Sequence, residues 1–253
     1  MKPGHYFLTT ILIAAAALPA GAQALGDNLT ATQIAMACAP PPMAATEPAE
    51  PIRVLGAQAS EPKSVLGDTD LIVLSGGSAR GVAQGQEYFV RRLIVDPAAR
   101  NSKLRPWPLH TGGWVTIVAV NETTAIAAVQ NTCGPIETGD YIEPFVLPNP
   151  PPDIERVDTS GQLDFGTLGR VLYGNDEHNN AAVGDYVLID MGADRGFTPG
   201  SHVAVYRDPG EKGMPLVAIG EAKVVSVGPV MSLVRLNQAV TEVRTGDYVV
   251  PRK

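Results

Sequence analysis

The chain has 253 residues with 26 acidic against 19 basic side chains, a formal net charge of −7 at pH 7, and only 6% aromatic residues. That balance excludes nucleic acid as a general partner, because phosphate binding needs a basic footprint. The length suffices for one or two hydrophobic cores.

In chain order, Lys2 precedes an apolar run from Tyr6 to Leu18, then Pro19 and the small-residue stretch AGAQA. This is the layout of a secretory signal peptide over 1–24, with cleavage after Ala22 or Ala24 fitting equally. The run is too short to span a bilayer, and no later segment is long and apolar enough, so no transmembrane segment is expected after cleavage. Cys38 lies too far past the apolar run for lipidation, and Ala35-Met36-Ala37 makes a poor lipobox. The chain is therefore expected to be exported, to the periplasm or beyond the cell. Residues 25–52 form an N-terminal segment, helical over TATQIAMACA (30–39) and extended through the prolines up to Pro51. The two cysteines of an exported chain predict one disulfide, Cys38–Cys133, tying this segment to the body of the protein.

The rest of the chain repeats itself. LIVLSGGSARGVAQGQEYFVRR (71–92) lies over YVLIDMGADRGFTPGSHVAVYR (186–207). GGWVTIVAVNETTAIAAV (112–129) lies over IGEAKVVSVGPVMSLVRL (219–236), and TGDYIEP (138–144) over TGDYVVP (245–251). Upstream, Arg53-Val54-Leu55 matches Arg170-Val171-Leu172. Each copy is a series of short β-branched stretches punctuated by glycine, among them LIVL, WVTIVAV, HVAVY and AKVVSV, and none holds a helical period. The expected fold is all-β: a tandem repeat of two small β-barrels, SH3-like or OB-like, over 53–146 and 169–251. A proline-rich linker, 147–168, joins them. Gly77/Gly192 and Gly81/Gly196 flank four-residue turns, where glycine allows positive φ.

The pattern Gly-x-x-x-Gly-(Val/Phe)-x-x-Gly, a strand ending in Val-x-Arg, and a terminal Gly-Asp-Tyr-Val resemble the small SH3-like barrel at the C-terminus of the flagellar assembly protein FlgT. They are also similar to the barrels that accompany LysM domains in exported bacterial proteins. The second copy carries the pattern best, in GADRGFTPGSHVAVYR, IGEAKVVSV and TGDYVV. The resemblance implies a cell-envelope protein; no LysM domain is recognisable in this chain.

Chemistry-bearing motifs are sparse. VLSGGSARG (73–81) is similar to the oxyanion loop of patatin-like phospholipases, but no G-x-S-x-G elbow accompanies it, so a structural turn is expected. The histidines do not gather and no zinc framework exists; Asp176-Glu177-His178 reads as a hairpin tip rather than a metal site. No cofactor is implied. Asp140 and Asp247 are expected to bond their own turns, and the repeated pairs Arg80/Arg195 and Arg92/Arg207 to serve structural pairing. One feature lacks a counterpart: RRLIVDPAARNSKLRPWP (91–108), with Arg91, Arg92, Arg100, Lys103, Arg105 and Trp107. A basic aromatic loop on an acidic barrel is the candidate binding site. The functional expectation is a non-catalytic binding or scaffolding protein of the bacterial cell envelope, with an unknown envelope protein or polymer as partner. A hydrolase with its site between the barrels and a periplasmic small-ligand binder using the inter-barrel cleft are the alternatives.

Overall fold

The computed structural model of the chain describes residues 29–43, 47–59, 61, 63–94, 109–174 and 179–253. The expected signal peptide, Arg100, Lys103, Arg105 and Trp107 of the basic loop, and Asp176-Glu177-His178 lie outside these residues. Among the described residues no helix is long and apolar enough to cross a membrane.

The β-branched runs of the sequence form the strands. The first unit holds β1 (Val54–Ala57), β2 (Leu71–Leu74), β3 (Glu87–Leu93), β4 (Leu109–Val120), β5 (Ala125–Thr132) and β6 (Tyr141–Pro144), hydrogen-bonded in the order β1-β2-β5-β4-β3-β6. The second holds β7 (Gly169–Gly174), β8 (Asn180–Ala181), β9 (Tyr186–Ile189), β10 (His202–Arg207), β11 (Val217–Val227), β12 (Ser232–Ala239), β13 (Val243–Arg244) and β14 (Tyr248–Pro251). There β7-β9-β12-β11-β10-β14 closes into a barrel, β14 returning to β7. The first unit is a curled half-barrel whose edges meet around the Arg53↔Tyr141 bridge. The seam is the same in both: Val54 N–H donates to Asp140 O as Val171 N–H does to Asp247 O. Closing the edges removes unpaired backbone that would otherwise invite other strands.

Because side chains alternate across a strand, each unit has an inner and an outer face. The inner cores match position by position. Val54, Ile72, Leu74, Val90, Ile117 and Val129 fill the first; Val171, Val187, Ile189, Val205, Val224 and Leu236 fill the second.

The repeated glycines divide the work differently from the sequence expectation. Gly81 and Gly196 do adopt positive φ, 79° in each, and end short 3-10 turns. Gly77 and Gly192 do not; their φ values are −131° and −126°. They are glycine because backbone crosses them: a Cβ on Gly77 would lie 2.2 Å from Asn121 O, and one on Gly192 2.6 Å from Met231 N.

Helix α1 (Ala31–Cys38) starts at a capping box, Thr30 accepting from Gln33 N–H while the Gln33 side chain accepts from Thr30 N–H. It is wedged between the units. Ala37, Ile34 and Cys38 pack on Phe89, Trp114 and Phe145 of the first, while Ala35, Met36 and Ala39 pack on Leu172, Tyr186, Leu188, Val225 and Leu233 of the second. The Cys38–Cys133 disulfide staples the helix to the first unit. The proline-rich segment after Leu147 is held against the second: Ile154 is buried, Lys223 Nζ donates to Asp153 O at 2.6 Å, and Asn237 Nδ2 donates to Ile154 O at 2.8 Å.

Candidate functional site

The repeated charged residues spend their donors on their own unit. Arg53 Nη1 donates to Gly139 O at 2.7 Å, and Arg170 Nη1 to Gly246 O at 2.6 Å. Arg80 reaches Glu50 O and Pro51 O, and Arg195 reaches Leu168 O, each pinning the chain that enters the first strand. Arg207 grips Asp247 through Nε–Oδ1 at 2.9 Å and Nη2–Oδ2 at 2.7 Å. Arg92 repeats this with Asp140 at 3.2 Å and adds Glu137 at 2.6 Å. Both aspartates are buried and also accept backbone N–H groups, Asp140 from Glu137 and Asp247 from Arg244. Burial pushes the Asp140 carboxyl above the usual range, against the pull of the Glu137 N–H and of Arg92.

The GGSARG turn is likewise occupied. Ser78 N–H donates to Asn121 O and Ala79 N–H to Glu122 O, as Ala193 and Asp194 N–H do to Gly228 and Pro229 O in the second unit. Donors committed to carbonyls cannot stabilise an oxyanion, and Ser78 is exposed to solvent. The turn is a fastener between strands. Among the described residues, no group of three or more His, Cys, Asp and Glu side chains is placed to share a metal.

A concave feature lies where α1, the first unit and the second unit meet. A cavity of about 450 Å³ is lined by Met36, Pro40, Pro41, Pro42, Phe89, Arg91, Val146, Leu147, Val225, Val227 and Leu233, among others. Beside it, Gly228 lies so close under Pro42 O that no Cβ would fit. Among the described residues the one charge on its walls is Arg91, 8% exposed. Arg91 sits in β3 rather than on the basic loop. Its Nη1 pairs with Glu143 Oε2 at 3.1 Å, its guanidinium lies 4.5 Å from the Phe89 ring centroid, and among the described residues its buried Nε has no hydrogen-bond partner. Burial lowers the Arg91 pKa and Glu143 opposes the shift; a guanidinium nevertheless stays charged at physiological pH.

Of the basic and aromatic residues singled out from the sequence, Arg91 and Arg92 are among the described residues. Arg91 lines the cavity and Arg92 is bonded to Asp140 and Glu137. Sequence reading passed over Phe89, Trp114 and Phe145, which carry the helix. The signal was present: the second copy has Ala204, Glu221 and Arg252 at those positions, so this aromatic cluster belongs to the first copy alone. No protein-family model and no curated protein matches this chain.

Proposed function

We propose that the protein is an exported, non-catalytic binding or scaffolding component of the bacterial cell envelope, built on two SH3-like units. The observation that carries this reading is the wedge of α1, covalently tied to the first unit and packed on the second. It holds two units in a fixed relation while the repeated arginines, aspartates and turn N–H groups are consumed in bonds within them. Such a body offers surfaces rather than a reactive centre, and binding surfaces on rigid scaffolds need no perturbed catalytic groups. Lysine-reactive crosslinking of intact cells of the native host, with recovery of the chain from the periplasmic and culture fractions, tests it. The expected result is a mature N-terminus at residue 23 or 25 and a reproducible envelope partner. A chain retained in the cytoplasm, or a purified protein that turns over ester or peptide substrates, overturns it.

The cavity beside Arg91 favours a second reading, a binder of small apolar carboxylates. Apolar walls with one placed charge are the usual composition of a ligand pocket. Native mass spectrometry of the protein purified from its host decides between them: a bound small acid lost in Arg91→Met supports the second.

A further inference from the structure

The two units differ in what covers one outer face. In the second, Leu172, Tyr186, Leu188, Val225 and Leu233 form an apolar surface across β7, β9, β12 and β11, buried under α1 and Ile154. The repeat places Leu55, Leu71, Val73, Val118 and Ile126 at those same positions of the first unit. They lie on neighbouring strands, with Val73 opposite Ile126 and the outward Val118 in the bulge beside it. All five are apolar, yet Leu55 is 52%, Leu71 40% and Val118 39% exposed, where Leu172, Tyr186 and Val225 are 7%, 3% and 1%. A contiguous apolar patch left open marks an interaction surface.

We infer that this face of the first unit docks an amphipathic helix of a partner protein, one presenting alanine- and methionine-sized side chains as α1 does to the second unit. The inference rests on the binding reading above and names its surface. The occupant follows from the repeat: the same strands with the same outward pattern take a helix through Ala35, Met36 and Ala39. The chain's own helix cannot serve, because Cys133 holds it on the opposite, aromatic face of the first unit. A second copy fits poorly. Extending the stack would require an aromatic face on the second unit, but there Arg252 pairs with Glu221 at 2.5 Å and donates to Thr159 O at 2.9 Å. That end is capped with charge and the other is open, the asymmetry of a repeat array with one finished terminus.

Benzoylphenylalanine placed at Leu71 of the full-length chain, photolysed in cells of the native host, tests this directly. The expected adduct joins one other protein at positions three or four residues apart on one helix. Leu55→Asp should cut its recovery about tenfold, as removal of a central apolar anchor does. Leu55→Ser, milder on the fold, should lower it in the same direction with thermal stability unchanged. Adducts only to lipid, to a second copy or to residues 1–28 of the same chain overturn the inference, as does no adduct at all. If lysine-reactive crosslinking still captures a partner that Leu55→Asp leaves bound, this face is wrong and the scaffold reading stands. If neither chemistry captures anything, both fall.

Discussion

Arg207 and Asp247 form a two-point bond, Nε to Oδ1 and Nη2 to Oδ2, at the seam where the second barrel closes. Asp247 also accepts the Arg244 N–H at 2.6 Å, so one carboxylate ties β10 to the turn leading into β14. A planar guanidinium suits this geometry and an ammonium does not.

Arg207→Ala should therefore cost about 2 to 3 kcal/mol, less than a fully buried pair because Arg207 keeps some contact with water. Arg207→Lys should recover only part of the loss. The Arg207→Ala/Asp247→Asn double mutant should be less destabilised than the sum of its singles, as urea unfolding can measure. Strict additivity would mean that the two residues do not act as a pair.

The Cys38–Cys133 bridge spans 95 residues, from the end of α1 to just past β5. Cross-linking a loop of that size is worth roughly 4 to 5 kcal/mol in the chain-entropy picture. Cys38→Ser/Cys133→Ser should lower the unfolding midpoint and shift tryptophan emission to the red, because α1 is what covers Trp114, 2% exposed. Unchanged emission on loss of the bridge would show that α1 is held by packing alone.

Ser78→Ala should leave stability within about 0.5 kcal/mol of the parent, as surface substitutions do. Gly77→Ala, one residue away, should destabilise strongly, since its Cβ would collide with Asn121 O. Any esterase turnover lost specifically in Ser78→Ala would reverse the structural reading of this turn.

Glu242 titrates at about 2 in the folded chain against an ordinary value of 4.5, held down by the Thr241 hydroxyl first and by Arg244 as well. Asp158 and Asp164, which lie against the second unit, are also lowered, through Ser160 and Lys253 respectively. A depressed carboxylate contributes stability above its unfolded pKa, and that contribution disappears as pH falls through the folded value. The thermal midpoint should then drop between pH 4.5 and 2. The drop should be smaller in Glu242→Gln and in high salt, because these groups sit in water. Identical acid profiles for the parent and Glu242→Gln would remove Glu242 from the account.

Much of this protein is local and therefore legible in its sequence. The β-branched runs became strands, Thr30 and Gln33 started the helix, and the duplicated pattern became two matching inner cores. Period-2 alternation carries that information because inner and outer residues are adjacent in the chain. The reason for Gly77 was not legible, since it depends on Asn121 crossing it from another turn. Nor was the anchoring of the proline-rich segment, which reads as a free linker until Lys223 and Asn237 bond to it. The clearest case is Arg-Val-Leu at 53–55 and again at 170–172. The sequence alone determined that the two stretches are equivalent, and in both the strand turns valine inward and leucine outward. Whether that leucine is covered was decided only in three dimensions: α1 lies between the units and shields the outer face of the second, so Leu172 is 7% exposed and Leu55 is 52%. Burial of an outward side chain depends on a partner far away in the chain, and no local period records which of two equivalent faces that partner will choose.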